Sequence, residues 1–102
     1  MKKKLLSYNE YLDLKSILDS QSRESEKIGN PIHDEMLFII IHQTYELWFK
    51  QILHEIQSVM DLFKADKIDE SSVGVVVRRM DRVNKIMTTL VGQLDILETM
   101  TS

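Results

Sequence analysis

The 102-residue sequence contains no cysteine, one proline and three glycines. Without cysteine there are neither disulfides nor thiolate metal sites. Gly29, Gly74 and Gly92 stand singly, which excludes a glycine-rich phosphate loop, and no serine sits in a nucleophile elbow. Positive charge is also scarce. A net charge of −3 with both signs interspersed makes no basic field for a phosphate backbone, so nucleic acid is not an expected partner. The one cationic run, Lys2 to Lys4, is followed only by Leu5 and Leu6, too little for a secretory signal core. No stretch approaches the ~20 apolar residues that cross a bilayer, so no membrane partner is expected and a soluble cytoplasmic protein is the reading. A chain of 102 residues suits one domain, 1–102, with a modest core. Burial against partner chains is therefore expected.

Apolar sequence is concentrated in the run His33 to Lys50. Leu37 to Ile41 leaves no solvated side for a whole turn, whereas a surface helix shows one apolar stripe and a charged opposite face. The spacing predicts a helix that is surrounded. A histidine enclosed in it, His42, must pair with a neighbour or meet a ligand.

Periodicity predicts an all-α fold. Tyr8, Tyr11, Leu14 and Leu18 follow helical steps of three and four, giving a short amphipathic helix from about Tyr8 to Ser20. Ser20 to Ile32 is polar and ends in Gly29-Asn30-Pro31, a loop. Asp34 and Glu35 then complement the positive end of a helix that runs to about Ala65 through Phe38, His42, Tyr45, Phe49, Leu53, Ile56, Met60 and Phe63. After a polar turn at Asp66 to Ser72 comes a heptad, Val76, Met80, Val83, Met87, Leu90, Leu94 and Leu97, with charged residues between. Val75-Val76-Val77 is β-branched but in register with that heptad, so packing overrides propensity there. Two helices of ~30 residues span ~45 Å each at 1.5 Å per residue. The expected architecture is a short N-terminal helix and a long antiparallel helical hairpin, completed as a bundle by oligomerisation. No internal repeat is present.

Metal chemistry has little support in these residues. A zincin needs two histidines around a glutamate, and di-iron bundles use Glu-x-x-His; neither spacing occurs here. His54 follows His42 by twelve residues, which sets it about a third of a turn away. His42 itself has two readings. It is a core histidine bonded to a carbonyl or carboxylate, or it forms with Phe38, one turn earlier, a pocket wall that stacks a flat ligand and bonds its polar edge. Tyr8 and Tyr11 are packing residues or phenols that close a pocket. Trp48 and Phe49 read as core, and Arg78, Arg79 and Arg82 as a solvated or salt-bridged face.

Three blocks carry a resemblance. They are Tyr8-x-x-Tyr11-Leu12-x-Leu14 with Leu18-x-x-Gln21, the run His33 to Glu55, and Gln93-x-x-x-Leu97-Glu98-Thr99-Met100-Thr101. In that order, over essentially the whole chain, they resemble the N-terminal third of the tryptophan 2,3-dioxygenase family, haem enzymes that open the indole ring of L-tryptophan with O2 to give N-formylkynurenine. The resemblance implies that His42 is the distal histidine that hydrogen-bonds the indole N–H and that Phe38 packs on the indole. It implies that Tyr8 and Tyr11 reach the active site of a neighbouring subunit in a homo-oligomer. Ser22 and Ser102 stand where the family commonly has proline. The family's proximal haem histidine and its carboxylate-gripping arginine have no counterpart in these residues. The expectation is thus a fragment with no metal ligand of its own, one that binds no haem and turns over no substrate when isolated. The alternative is a non-catalytic helical self-association module derived from the family.

Overall fold

A computed structural model describes residues 5–64 and 69–100, and among these every regular element is helical. The Lys2 to Lys4 run, the expected helix end at Ala65, the Asp66 to Ile68 part of the turn, and Thr101-Ser102 lie outside the described residues. The chain divides into two compact units, Met1–Ile39 and Ile40–Ser102.

In the first unit the expected single helix is two. Helix α1 spans Tyr8–Leu12 and α2 spans Leu14–Leu18, separated by Asp13 in the left-handed region at φ 52°. Aspartate tolerates that conformation because its short polar side chain bonds locally, and Asp13 Oδ1 accepts from the Ser16 hydroxyl at 2.9 Å. Ser7 starts α1 with a capping box: its hydroxyl accepts from the Glu10 amide, and the Glu10 carboxylate accepts from the Ser7 amide. The expected loop contains a one-turn helix, α3, Glu24–Lys27. It closes through Gly29 at φ 79°, a left-handed position that favours glycine.

Helix α4, Glu35–Lys64, has 30 residues, as the periodicity predicts. Helix α5, Glu70–Gly92, has Asp69 as N-cap, its carboxylate accepting from the Ser72 amide at 2.9 Å. The expected continuous third helix instead breaks at Gln93 and resumes as α6, Leu94–Leu97. In the second unit α4 and α5 form the antiparallel hairpin. Tyr45 meets Leu90 and Glu55 meets Arg82, so partner numbers fall on α5 as they rise on α4.

The seam between them is Ile52 against Val83, Ile86 and Leu90, flanked by Tyr45 and Ile56. This corrects the heptad. Val83 and Leu90 are buried as expected, but Ile86, outside the heptad, joins them, while Met80, Met87 and Leu94 are exposed. The apolar stripe on α5 is broader than the one on α4 can cover, and α4 covers its Ile86 edge. Within the one chain, α4 is enclosed only in part. Ile41 is buried, but Trp48 and Phe49, read as core, are 37% and 42% exposed.

Truncating the seam and the heptad flank separates the two registers. Ile86→Ala should cost about 2–3 kcal/mol as a large-to-small change in a core, and Met80→Ala no more than about 0.5 kcal/mol as a surface change. Urea denaturation followed by helical circular dichroism checks both.

Candidate functional site: an apolar groove beside His42

The side-chain spacing of α4 places His42, Tyr45, Glu46 and Phe49 along one flank of the helix, as steps of three and four require. Together with Met87, Leu90 and Val91 of α5 and Leu94 of α6 they line a groove of about 370 Å³. Its lining is nearly all carbon. The imidazole of His42, the phenol of Tyr45 and the carboxylate of Glu46 are the only side chains there able to hydrogen-bond or ionise. His42 is exposed within this single chain.

Tyr45 ties the two walls together. Its hydroxyl donates to the Leu90 carbonyl at 2.6 Å, and its ring lies 6.1 Å from that of Phe49 at a 35° tilt. One and a half turns beyond Phe49, Glu55 is buried in the seam at 3% exposure. Its carboxylate accepts from Arg82 Nη1 and Gln51 Nε2, each at 3.0 Å. The Arg82 hydrogen bond is the main reason the Glu55 carboxyl is held below its ordinary range, and burial only partly opposes it. Arg82 was read as solvated or salt-bridged, and it is salt-bridged.

Phe38 stands four residues before His42 on α4, on the same face of the helix by register, and is 50% exposed. It belongs to the first unit and is not among the residues lining the groove. Tyr8 and Tyr11 lie on α1, 72% and 75% exposed. No cluster of three or more His, Asp or Glu side chains is set to hold a metal ion among the described residues.

The start of α4 is held by a small polar knot within the first unit. Buried Ser25 donates its amide and hydroxyl to Glu35 Oε1, at 3.0 and 2.6 Å, and its hydroxyl oxygen accepts from the Ile32 amide at 3.0 Å. That knot clamps the loop onto the first turn of α4, one turn before Phe38. The Ser25 hydroxyl, above all, holds the Glu35 carboxyl below its ordinary value, with backbone bonds and Arg23 adding to it.

Of the residues the sequence singles out, His42 lies on the groove and Phe38 does not, and the far groove wall carried no such signal. The heptad assigns Met87 and Leu94 to the seam and gives Val91 no role. Tyr45 was one apolar position among eight, and its bond to Leu90 leaves no local trace in the sequence. Glu55 did leave one: it falls between Ile52 and Val59 on the face that α4 buries, where a carboxylate needs a partner.

Fold and groove define an all-helical chain that presents an imidazole on an apolar cleft. A sequence profile described as tryptophan 2,3-dioxygenase matches residues 1–102. The chain therefore belongs to the tryptophan 2,3-dioxygenase family. It is similar to the tryptophan 2,3-dioxygenase of Bdellovibrio bacteriovorus, 48% identical over 101 residues, covering 99% of this chain and 28% of that protein. The corresponding protein of Dictyostelium discoideum is 53% identical over 95 residues, 93% of this chain and 24% of its own length. That of Xenopus tropicalis is 50% identical over 98 residues, 95% of this chain and 24% of its own. The chain thus spans about a quarter of the length of the curated relatives it matches.

The Glu35 knot carries a pH dependence of definite sign. A carboxyl whose folded pKa is depressed contributes stability that is complete above its unfolded value and is lost as pH falls through the folded one. Amide exchange at Ser25 should therefore quicken as pH drops below 4.5, the ordinary value for this group, after correction for intrinsic rates. In Glu35→Gln that acid-dependent step should vanish.

Proposed function

We propose that this chain supplies the substrate-facing helices of a haem dioxygenase that opens the indole ring of L-tryptophan with O2, giving N-formylkynurenine. The observation that carries the reading is the position of His42 on a nearly all-carbon groove, in a chain that belongs to the tryptophan 2,3-dioxygenase family. An indole is flat and apolar except for one N–H. Such a ligand needs an apolar cleft and a single well-placed acceptor.

Each residue then has a task that its chemistry suits. A neutral His42 imidazole accepts a hydrogen bond from the indole N–H and fixes which edge of the ring faces the reacting centre. Phe38 packs on the indole face. Tyr8 and Tyr11, exposed on α1, extend toward the pocket of a neighbouring subunit and close it. Met87, Leu90, Val91 and Leu94 keep water from the ring.

Haem chemistry is compatible with this wall. An iron porphyrin needs an apolar cleft and only one or two axial donors, not a cluster of three carboxylates or imidazoles. The groove's carbon lining would lie against such a group, and none of His33, His42 or His54 is assigned to its iron. When bound, haem supplies O2 activation. Both oxygen atoms enter the product, so no external reductant is consumed in the net reaction.

Homo-oligomerisation belongs to the same proposal. Leu47, Leu53 and Phe63 are exposed on α4, more apolar surface than a lone hairpin conceals, which supports assembly with further copies. The same residues favour a second reading, a non-catalytic helical self-association module. No described helix is long and apolar enough to cross a membrane. A cytoplasmic location completes the proposal.

Haemin titration of the purified 102-residue chain, followed in the Soret band, and the same titration of the protein expressed from its complete gene separate the readings. Specific binding and N-formylkynurenine formation by the complete gene product alone support the dioxygenase; neither property in either protein, with oligomers in both, favours the module. In the active protein His42→Ala should lower kcat/KM about ten- to hundredfold, the scale of a misplaced substrate. Phe38→Leu should raise KM about two- to tenfold, the worth of one aromatic contact. Steady-state kinetics with L-tryptophan reads both.

A further inference from the structure

Tyr45 is three residues beyond His42, and its hydroxyl bond reaches 45 residues along the chain, to the carbonyl of Leu90. Leu90 lies in the last turn of α5, which ends at Gly92. Carbonyls in a last turn run out of helical N–H partners, and a carbonyl oxygen has two lone pairs in any case, so it is a ready acceptor. The regular helix is interrupted at Gln93, whose backbone stays right-handed and whose amide still donates to the Thr89 carbonyl at 3.1 Å, before α6 begins at Leu94. No close contact requires glycine at position 92, where a Cβ would touch nothing within 4 Å. Backbone bonds from the Gln93 amide to Thr89 and from the Ile96 amide to Gln93 span the junction, and the Tyr45 hydroxyl bond reaches it from α4.

What the break positions is the groove. Leu90, Val91 and Leu94, on either side of Gln93, form the wall that faces His42 and Glu46. We infer that Tyr45 is a positioning residue, whose hydroxyl hooks the end of α5 and so sets the distance of that wall from His42 and the grip on an indole between them. It touches no reacting atom. The inference rests on the dioxygenase reading for its substrate and on the Tyr45 to Leu90 bond for its geometry.

The chemistry of the residue separates hook from filler. The ring of Tyr45 packs against the seam and beside Phe49, which phenylalanine would do equally well. The hydroxyl, which on a half-buried tyrosine can ordinarily turn to water, is spent instead on one backbone carbonyl. Tyr45→Phe therefore removes the hook and leaves the packing.

The test uses the haem-loaded protein expressed from its complete gene, with Tyr45→Phe compared against Ile52→Val, a seam change with no side chain in the groove. For Tyr45→Phe the expected result is a three- to tenfold rise in KM for L-tryptophan with kcat within twofold. Ile52→Val should lower the melting temperature while leaving KM unmoved. An unchanged KM in Tyr45→Phe, or equal rises in the two variants, would overturn the inference, the second by showing a general loss of rigidity. Hydrogen exchange needs no substrate and reads the hook directly. In Tyr45→Phe, amides from Gln93 to Leu97 should exchange at least fivefold faster while those of Ile52 to Val59 keep their protection; unaltered exchange at Gln93 to Leu97 would overturn it. A wild-type protein that binds haem but leaves L-tryptophan untouched would sink the dioxygenase reading instead, and the exchange result would still decide whether Tyr45 holds α5.

Discussion

The contact of Ile52 with Val83, Ile86 and Leu90 is the one on which the second unit depends, because almost every other feature of that unit takes its place from it. A helix of 30 residues has no tertiary reason to hold a particular face inward until a neighbour covers that face. Once α5 covers Ile52, rotation of α4 is fixed. Glu55, one turn on, must then enter the same seam, and its carboxylate is tolerable there only because Arg82 and Gln51 reach it. Tyr45, two turns before Ile52, comes down at the end of α5, and His42 is carried to the open flank. The exposure of the imidazole follows from where the isoleucine goes.

Helix α4 was legible in the sequence because its evidence is redundant: turn residues before it, acidic residues at its start, and about seven turns of consistent spacing from Phe38 to Phe63. The rest was hidden for separate physical reasons. Asp13 keeps the apolar spacing of Tyr8 to Leu18 intact while reversing the hand of one residue, and periodicity registers the first and not the second. Helix α3 is a single turn, too short to have a period. On α5 the residues Met80, Val83, Ile86, Met87 and Leu90 offer two adjoining apolar stripes. Nothing local to α5 tells which stripe faces α4, since the choice is made by side chains on another helix.

The candidate site divides in the same way. His42 and Phe38 stand out because a polar or aromatic group in an apolar run is conspicuous in one dimension. The far wall beside His42 is assembled from residues 45 to 52 positions away, and such pairs have no signature in a single sequence. Trp48 and Phe49 show the opposite error. They are apolar and large, so burial was expected, yet a sequence states only that a side chain avoids water and not whether its own chain or another provides the cover.

Asp13 has a geometric result of its own. A continuous helix over residues 8–18 would be a rod, and a rod displays a single stripe: tyrosines and leucines would have to serve the same neighbour. Inverting the backbone at one residue makes the segment a corner joining two arms of five residues each. A corner has two outlooks. The phenols of Tyr8 and Tyr11 are thereby uncoupled from Leu14 and Leu18, and eleven residues can address two surfaces where an unbroken helix of that length addresses one.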